Sequence, residues 1–262
     1  MYILAIETTG PYGSTALLDE KGKVLGYEVS RGTMSHLKDL IPMIDTMLKK
    51  CGVAKDQIDL IAPSVGPGSF TGIRIGVSTA RALCQALGIK AVPVPTLEAF
   101  CFKETAEAAD TAAAVPDTRD AAVGRTAVCA IINARRGQVY GMIDGFVEPG
   151  PYMLTDVIEV YKSKMESDGW KLLFFGDGID AYEKNIKEAL GEPGPGSSAH
   201  FEFAPEADRY QDAVSVGRWA AKRIRECAVD FEELLPDYMR RAEAEQKLES
   251  GELPICRGPK QE

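Results

Sequence analysis

Histidine is nearly absent from this chain, with only His36 and His200 among 262 residues. That leaves little scope for a histidine-rich metal site or a relay built on a histidine base. The six cysteines, at 51, 84, 101, 129, 227 and 256, come no closer than 17 residues apart. No CxxC or zinc-knuckle spacing exists, so we expect reduced, mostly buried thiols in a cytoplasmic protein. No run approaches the roughly eighteen apolar residues of a membrane span. The opening MYILAIETTG lacks the positive and long apolar regions of a signal peptide. Basic excess is missing too: 30 Lys and Arg stand against 39 Asp and Glu, a net charge of −9. Residues 1–104 carry 11 basic and 10 acidic side chains, and residues 105–262 carry 19 and 29. Phosphate binding needs clustered cations, so this balance disfavours a stand-alone nucleic-acid binder and favours a protein partner or a small substrate.

With 45% hydrophobic and 26% charged residues the composition is that of a globular protein, long enough for one large domain or two small ones. Residues 2–6, 14–18 and 24–29 read as three strands joined by tight turns, an antiparallel meander. Ser35 can cap a helix carrying Leu37, Leu40, Ile41, Ile44, Met47 and Leu48, with Pro42 expected to kink it and Gly52 to end it. Ile58–Val65 reads as a strand, Thr71–Leu87 as a helix, Ala91–Val94 as a strand, and Thr96 caps a helix to about Ala109. The order βββαβαβα predicts a mixed sheet with helices on it. Ala106–Ala122 reads as a helix end plus linker. Strands then follow at 126–133 and 138–146 around an Arg135-Arg136-Gly137 turn, a helix at 156–165, a strand at 171–175, a helix to Leu190, and an amphipathic helix at 213–228. Strand, glycine loop and helix recur in both halves, which suggests two related lobes, 1–105 and 106–262, the second acidic with a charged tail.

The densest glycine signal is Val65-Gly66-Pro67-Gly68-Ser69-Phe70-Thr71-Gly72. Between a strand and a helix it can form an anion site from free backbone N–H groups, or a tight turn with close backbone packing. It is neither a Walker A loop nor GxGxxG. Beyond it, Gly72, Gly76 and Ala80 recur every four residues, a smooth strip beside a seam of Ile73, Val77, Ala80, Cys84 and Leu87. Packing on its own sheet uses one stripe, and the other, with the apolar side of residues 37–48, is open to a helical partner. Glu7, at a strand end beside Thr8, Thr9, Gly13 and Ser14, sits where some phosphotransfer folds hold a hydrated magnesium. His36 has Leu40 four residues on, so a His-x-x-x-His pair is missing.

Taken together, Ile3–Thr9, Ser35-His36 with the following Leu-Ile-Pro42, and above all Ser64–Gly76 (SVGPGSFTGIRIG) resemble the TsaB (YeaZ) family of glycoprotease-like (M22) proteins. Val92–Phe100 and Pro236–Arg240 match as well. Asn133–Tyr140 fits the family's Asp-Ala-Arg…Glu-Val-Tyr hairpin with amides at Asn133 and Gln138 in place of both acids, and Glu7 stands where many members have Asp. The resemblance implies an actin/Hsp70-like (ASKHA) fold of two RNase H-like lobes, each a mixed sheet flanked by helices. It also implies a non-catalytic subunit that binds the paralogue TsaD. TsaD transfers threonylcarbamoyl to N6 of the adenosine beside the anticodon of tRNA, and it holds its metal through His-x-x-x-His. The further implied partners are a TsaE-like ATPase and a second copy of the chain, with tRNA met only through the complex and no membrane. We carry the partner surface over to His36, Leu37, Leu40, Ile41, Ile44, Gly72, Ile73, Gly76, Val77 and Ala80. Glu7, Thr8, Thr9, Gly66, Gly68 and Ser69 are candidate nucleotide or anion contacts. No catalytic residue, metal or cofactor is expected in the isolated chain, with weak ATP or ADP binding reserved for a crevice shared between subunits. The rival reading is an enzyme, either an M22-type metallopeptidase or an actin-fold small-molecule kinase.

Overall fold

The computed structural model describes residues 1–30, 32, 36–103, 125–193 and 200–239, with His36 and Leu37 in their backbone only. The linker Ala106–Ala122, the capping Ser35, the far part of the helix placed up to Ala109, most of the 191–198 loop, Arg240 and the tail beyond it lie outside the described residues.

Tyr2–Glu7 (β1), Ser14–Asp19 (β2) and Val24–Val29 (β3) form the expected antiparallel meander. His36–Cys51 (α1) follows and runs on through Pro42 as one helix. Leu60–Gly66 (β4) pairs parallel to β1, and Phe70–Leu87 (α2) crosses back over the sheet. The expected strand at 91–94 is two short pieces, Lys90–Ala91 (β5) and Val94–Pro95 (β6), separated at Pro93, and both pair with β4. Proline cannot donate to a ladder, which accounts for the break. The helix at Thr96 is four residues long in its α-helical part (α3, Thr96–Ala99) and tightens into a 3-10 turn at Phe100–Phe102. The first sheet has the order β3-β2-β1-β4-β5.

The second sheet repeats the plan. Thr126–Asn133 (β7), Gln138–Ile143 (β8) and Val147–Met153 (β9) form a meander, and Lys171–Phe175 (β10) and Phe201–Phe203 (β11) run parallel to β7, in the order β11-β10-β7-β8-β9. The sequence pattern does not show β9, because Pro149 and Pro151 argue against a strand. They are accommodated because β9 is the sheet edge. Leu154–Lys164 (α4) and Gly178–Leu190 (α5) cover one face.

Side-chain alternation in β1 divides the first core. Leu4 and Ile6 face α1 and α2, while Ile3 and Ala5 face Ala213–Cys227 (α6) on the opposite side. α6 thus belongs to the first sheet although it follows the second in sequence. Residues 229–239 return with it: Val229 bridges Ala91, Leu234 is fully buried in the α1/α2 core, and the Asp237 N–H donates to the Val65 carbonyl at 2.8 Å. The expected division at 105/106 is therefore not a clean cut, because the end of the chain completes the first lobe. Leu97 and Phe100 pack against Val128, Ala130, Ile132 and Phe175 on the free face of the second sheet and tie the lobes together.

Candidate functional site

Because β1 and β4 are parallel neighbours in register Ile6↔Pro63, their carboxyl ends bring Glu7 beside Ser64. In open α/β sheets this is the end where ligands bind. Glu7 is fully buried. One of its carboxylate oxygens, Oε1, accepts from the Thr9 N–H, from Thr9 Oγ1 at 2.7 Å and from the Gly10 N–H at 3.2 Å, while Oε2 accepts from the Ser64 hydroxyl. Burial pushes the Glu7 carboxyl above its ordinary value, and these four donors pull against that rise. All four of these hydrogen bonds come from donors, three to Oε1 and one to Oε2, so they complement an anion.

Thr8 and Ser69 also make hydrogen bonds within the fold. Thr8 Oγ1 donates to the Gly72 carbonyl at 2.7 Å, the Ser69 N–H donates to the Thr9 carbonyl at 2.8 Å, and Ser69 Oγ caps α2 by accepting from the Gly72 N–H at 3.2 Å. The glycines let these backbones touch. A Cβ on Gly72 would lie 1.9 Å from the Thr8 carbonyl oxygen, and one on Gly68 would lie 2.6 Å from that of Thr9. Gly66, at φ +123°, would place a Cβ 2.0 Å from the Asp237 carbonyl oxygen. Of the two readings of the glycine loop, the geometry is that of close packing.

The candidate partner surface needs correction. Leu40, Ile44, Ile73, Val77 and Ala80 are buried in one core with β1 and β4, because both helices turn their apolar stripes onto the same sheet face. The smooth strip is internal as well, since Gly72 and Gly76 both abut Thr8. Among the exposed residues of α1 and α2 are two large apolar side chains, Ile41, 53% exposed, and Phe70, 38% exposed, with Arg74 exposed beside Phe70. Arg74 lies over the Phe70 ring at 4.1 Å and its Nε donates to Tyr238 Oη at 3.1 Å, while Phe70 and Tyr238 stack at 4.7 Å. His36 begins α1, and its side chain and that of Leu37 lie outside the described residues.

Two features escape sequence reasoning. Gln211 is 6% exposed, touches Gly10, and neither its amide oxygen nor its nitrogen has a hydrogen-bond partner. Lys103, equally buried, pairs with Asp212 and donates to the Tyr210 carbonyl at 2.5 Å. Both depend on contacts about a hundred residues or more apart in sequence, for which no local pattern exists. In the second lobe Asn133 Oδ1 accepts from the Arg135 N–H at 2.8 Å and from Tyr182 Oη at 3.2 Å, so the amide supplies two acceptor contacts at this hairpin. Among the described residues there is no cluster of three His, Cys, Asp or Glu able to hold a metal ion, and no helix is long and apolar enough to cross a membrane.

The family model described as TsaD: tRNA N6-adenosine threonylcarbamoyltransferase matches residues 30–248. The tRNA threonylcarbamoyladenosine biosynthesis protein TsaB of Bacillus subtilis (strain 168) is 30% identical over 258 residues, 94% of this chain and 97% of that one. The chain belongs to this family, on its TsaB (YeaZ) branch. TsaB of Escherichia coli (strain K12) is 31% identical over 140 residues, 53% of each chain. The solved structure of YeaZ from Pseudomonas aeruginosa covers 90% of this chain and 99% of its own, with a TM-score of 0.63 at 23% identity. That likeness carries the fold, the two-lobed actin-like architecture in which each lobe is a mixed sheet with helices.

Proposed function

We propose that this chain acts in tRNA threonylcarbamoyladenosine biosynthesis as a non-catalytic subunit that docks on a TsaD-like transferase, alongside a TsaE-like ATPase. The observation that carries this reading is the full-length identity to a protein named for that pathway. The structural roles of Glu7, Thr8, Thr9 and Ser69, each hydrogen-bonded within the fold, support the non-catalytic part. Docking uses the exposed residues of α1 and α2: Ile41, Phe70 and Arg74, with Tyr238 buttressing Phe70. Aromatic and arginine anchors of this kind dominate interface energies. Self-pairing of the isolated chain uses the same surface. Weak nucleotide binding at the subunit crevice draws on Gln211, whose unspent amide lies against Gly10; calorimetry with ATP on the assembled complex should lose its heat in Gln211→Leu.

Reconstitution tests the reading. The chain alone should modify no tRNA, and adding it to a TsaD-like enzyme and a TsaE-like ATPase should restore threonylcarbamoyl transfer. Full transfer without this chain would sink the proposal. Ile41→Asp with Arg74→Glu should abolish the complex on a sizing column while leaving stability within about 1 kcal/mol, as expected for exposed sites.

A further inference from the structure

In charge, α6 is the opposite of the chain that contains it. Within Ala213–Cys227 stand Arg218, Lys222, Arg223 and Arg225 against Glu226 alone, in a protein of net charge −9. Spacings of four and seven put Arg218, Lys222 and Arg225 on one helix face, while Ala213, Val216 and Ala220 face the core. Lys222 and Arg225 are exposed. None of Lys222, Arg223 and Arg225 forms an ion pair with a carboxylate among the described residues, although Lys49, Lys171, Lys187 and Arg209 all do so elsewhere.

Aromatic rings hold two of these cations, Lys222 and Arg223, instead. Lys222 lies 5.0 Å and Arg223 5.4 Å from the centre of the Phe102 ring, and Arg223 lies 4.6 Å from that of Trp219. A ring orders a guanidinium or ammonium without neutralising it, whereas a carboxylate would cancel the charge. Glu226 is the one acid on the helix itself, and four acids of neighbouring elements are engaged otherwise. Glu98 accepts from Trp219 Nε1 at 3.0 Å, Asp212 is paired with Lys103, Asp230 with Lys90, and Asp19 Oδ1 accepts from the backbone of Lys21 and Lys23. Gly22 packs on Arg218, which brings Lys21 and Lys23 to the end of the same stripe.

We propose that the surface formed by Lys222, Arg223 and Arg225 with Phe102 contacts the phosphate backbone of an RNA, which is tRNA under the reading above, on which this inference rests. Clustered cations that outnumber the acids of their helix and form no carboxylate ion pair are what a polyanion displaces salt to reach. Three such contacts give an affinity that falls about 20- to 40-fold between 50 and 200 mM salt, so the patch steers a tRNA held mainly by another subunit. Both docking helices lie on the opposite face of the first sheet, so α6 stays open in the docked complex.

The test is fluorescence anisotropy of a labelled tRNA transcript with the full chain at low salt, read as a function of salt. Weak binding with a log–log slope of about −2 to −3 is expected, and Lys222→Gln or Arg225→Gln should each make that slope shallower by roughly 0.7–0.9. Lys222→Glu with Arg225→Glu should weaken binding at least about tenfold, with an unchanged circular dichroism spectrum. No salt-dependent binding by the wild type, wild-type affinity in the reversed variant, or tighter binding of polyglutamate than of tRNA would each overturn the proposal. Stimulation of the transferase is measured separately, so a chain that binds tRNA through α6 yet fails to stimulate separates the two readings.

Discussion

A carboxylate cut off from water is tolerable only where donors replace the water, and Glu7 meets four of them with no cation paired to it among the described residues. Burial is the larger influence and holds its folded value above the ordinary 4.5. Between the unfolded and the raised folded value the native state binds more protons, so stability falls as pH climbs through that window and the full penalty is present above it. In Glu7→Gln the amide oxygen can accept from Thr9 and Gly10, and the amide nitrogen can donate to Ser64. Denaturant melts from about pH 4.5 to 8 should therefore show the difference between the two proteins tilting toward the glutamine variant as pH rises. Parallel curves would mean that Glu7 does not feel its burial. That a strand-end acid would be notable was legible from Glu7 followed by Thr8-Thr9. Its surroundings were not, because Ser64 comes from a strand 57 residues away.

At the level of elements, the meander, α2 and α6 were readable because their apolar periods are clean and their caps are local: Ser69 caps α2 and Asp212 caps α6 through the Ser215 N–H at 2.8 Å. The Gly72–Gly76–Ala80 strip correctly signalled a close approach. Which surface approaches was hidden, since small residues look alike whether they admit a partner's helix or the turn after the chain's own first strand. The contact at Thr8 makes a sharp prediction. Gly72→Ala drives a Cβ into the Thr8 carbonyl oxygen, which is backbone and cannot swing aside. It should cost about 3 kcal/mol or more and lower Tm by roughly 6–12 °C in a chain of this size. Gly88 ends the same helix at φ +66°, and a methyl group there would meet nothing within 4 Å. Gly88→Ala should therefore cost only about 1 kcal/mol, from the left-handed backbone alone. Equal losses at the two glycines would remove the tight contact from the account.

At the level of the whole molecule, the chain leaves the first sheet at Lys103 and returns through residues 204–212, and one partly buried ion pair fastens the two crossings. Lys103 Nζ reaches both the Asp212 carboxylate and the Tyr210 carbonyl, while Asp212 also caps α6. Nothing in the sequence announces the pair, because the partners are 109 residues apart. The twofold repeat of meander and parallel crossovers, by contrast, was readable in outline. Removing the buried lysine strands an Asp212 carboxylate that keeps some solvent and the Ser215 N–H, so Lys103→Met should destabilise by about 2–3 kcal/mol, less than for a fully buried pair. Asp212→Asn keeps an acceptor for the Ser215 N–H and should cost less. Combining the two relieves the stranded charge, so the double variant should lose at least about 1 kcal/mol less than the sum of the singles. The same variants probe the joint between lobes. If the pair clamps it, Lys103→Met should speed proteolytic cutting around the crossings while the core of each sheet stays protected, and Lys103→Met with Asp212→Asn should recover part of that resistance. Strict additivity, with cutting unchanged, would shift the fastening between lobes to apolar packing such as that of Leu97 and Phe100 on the second sheet.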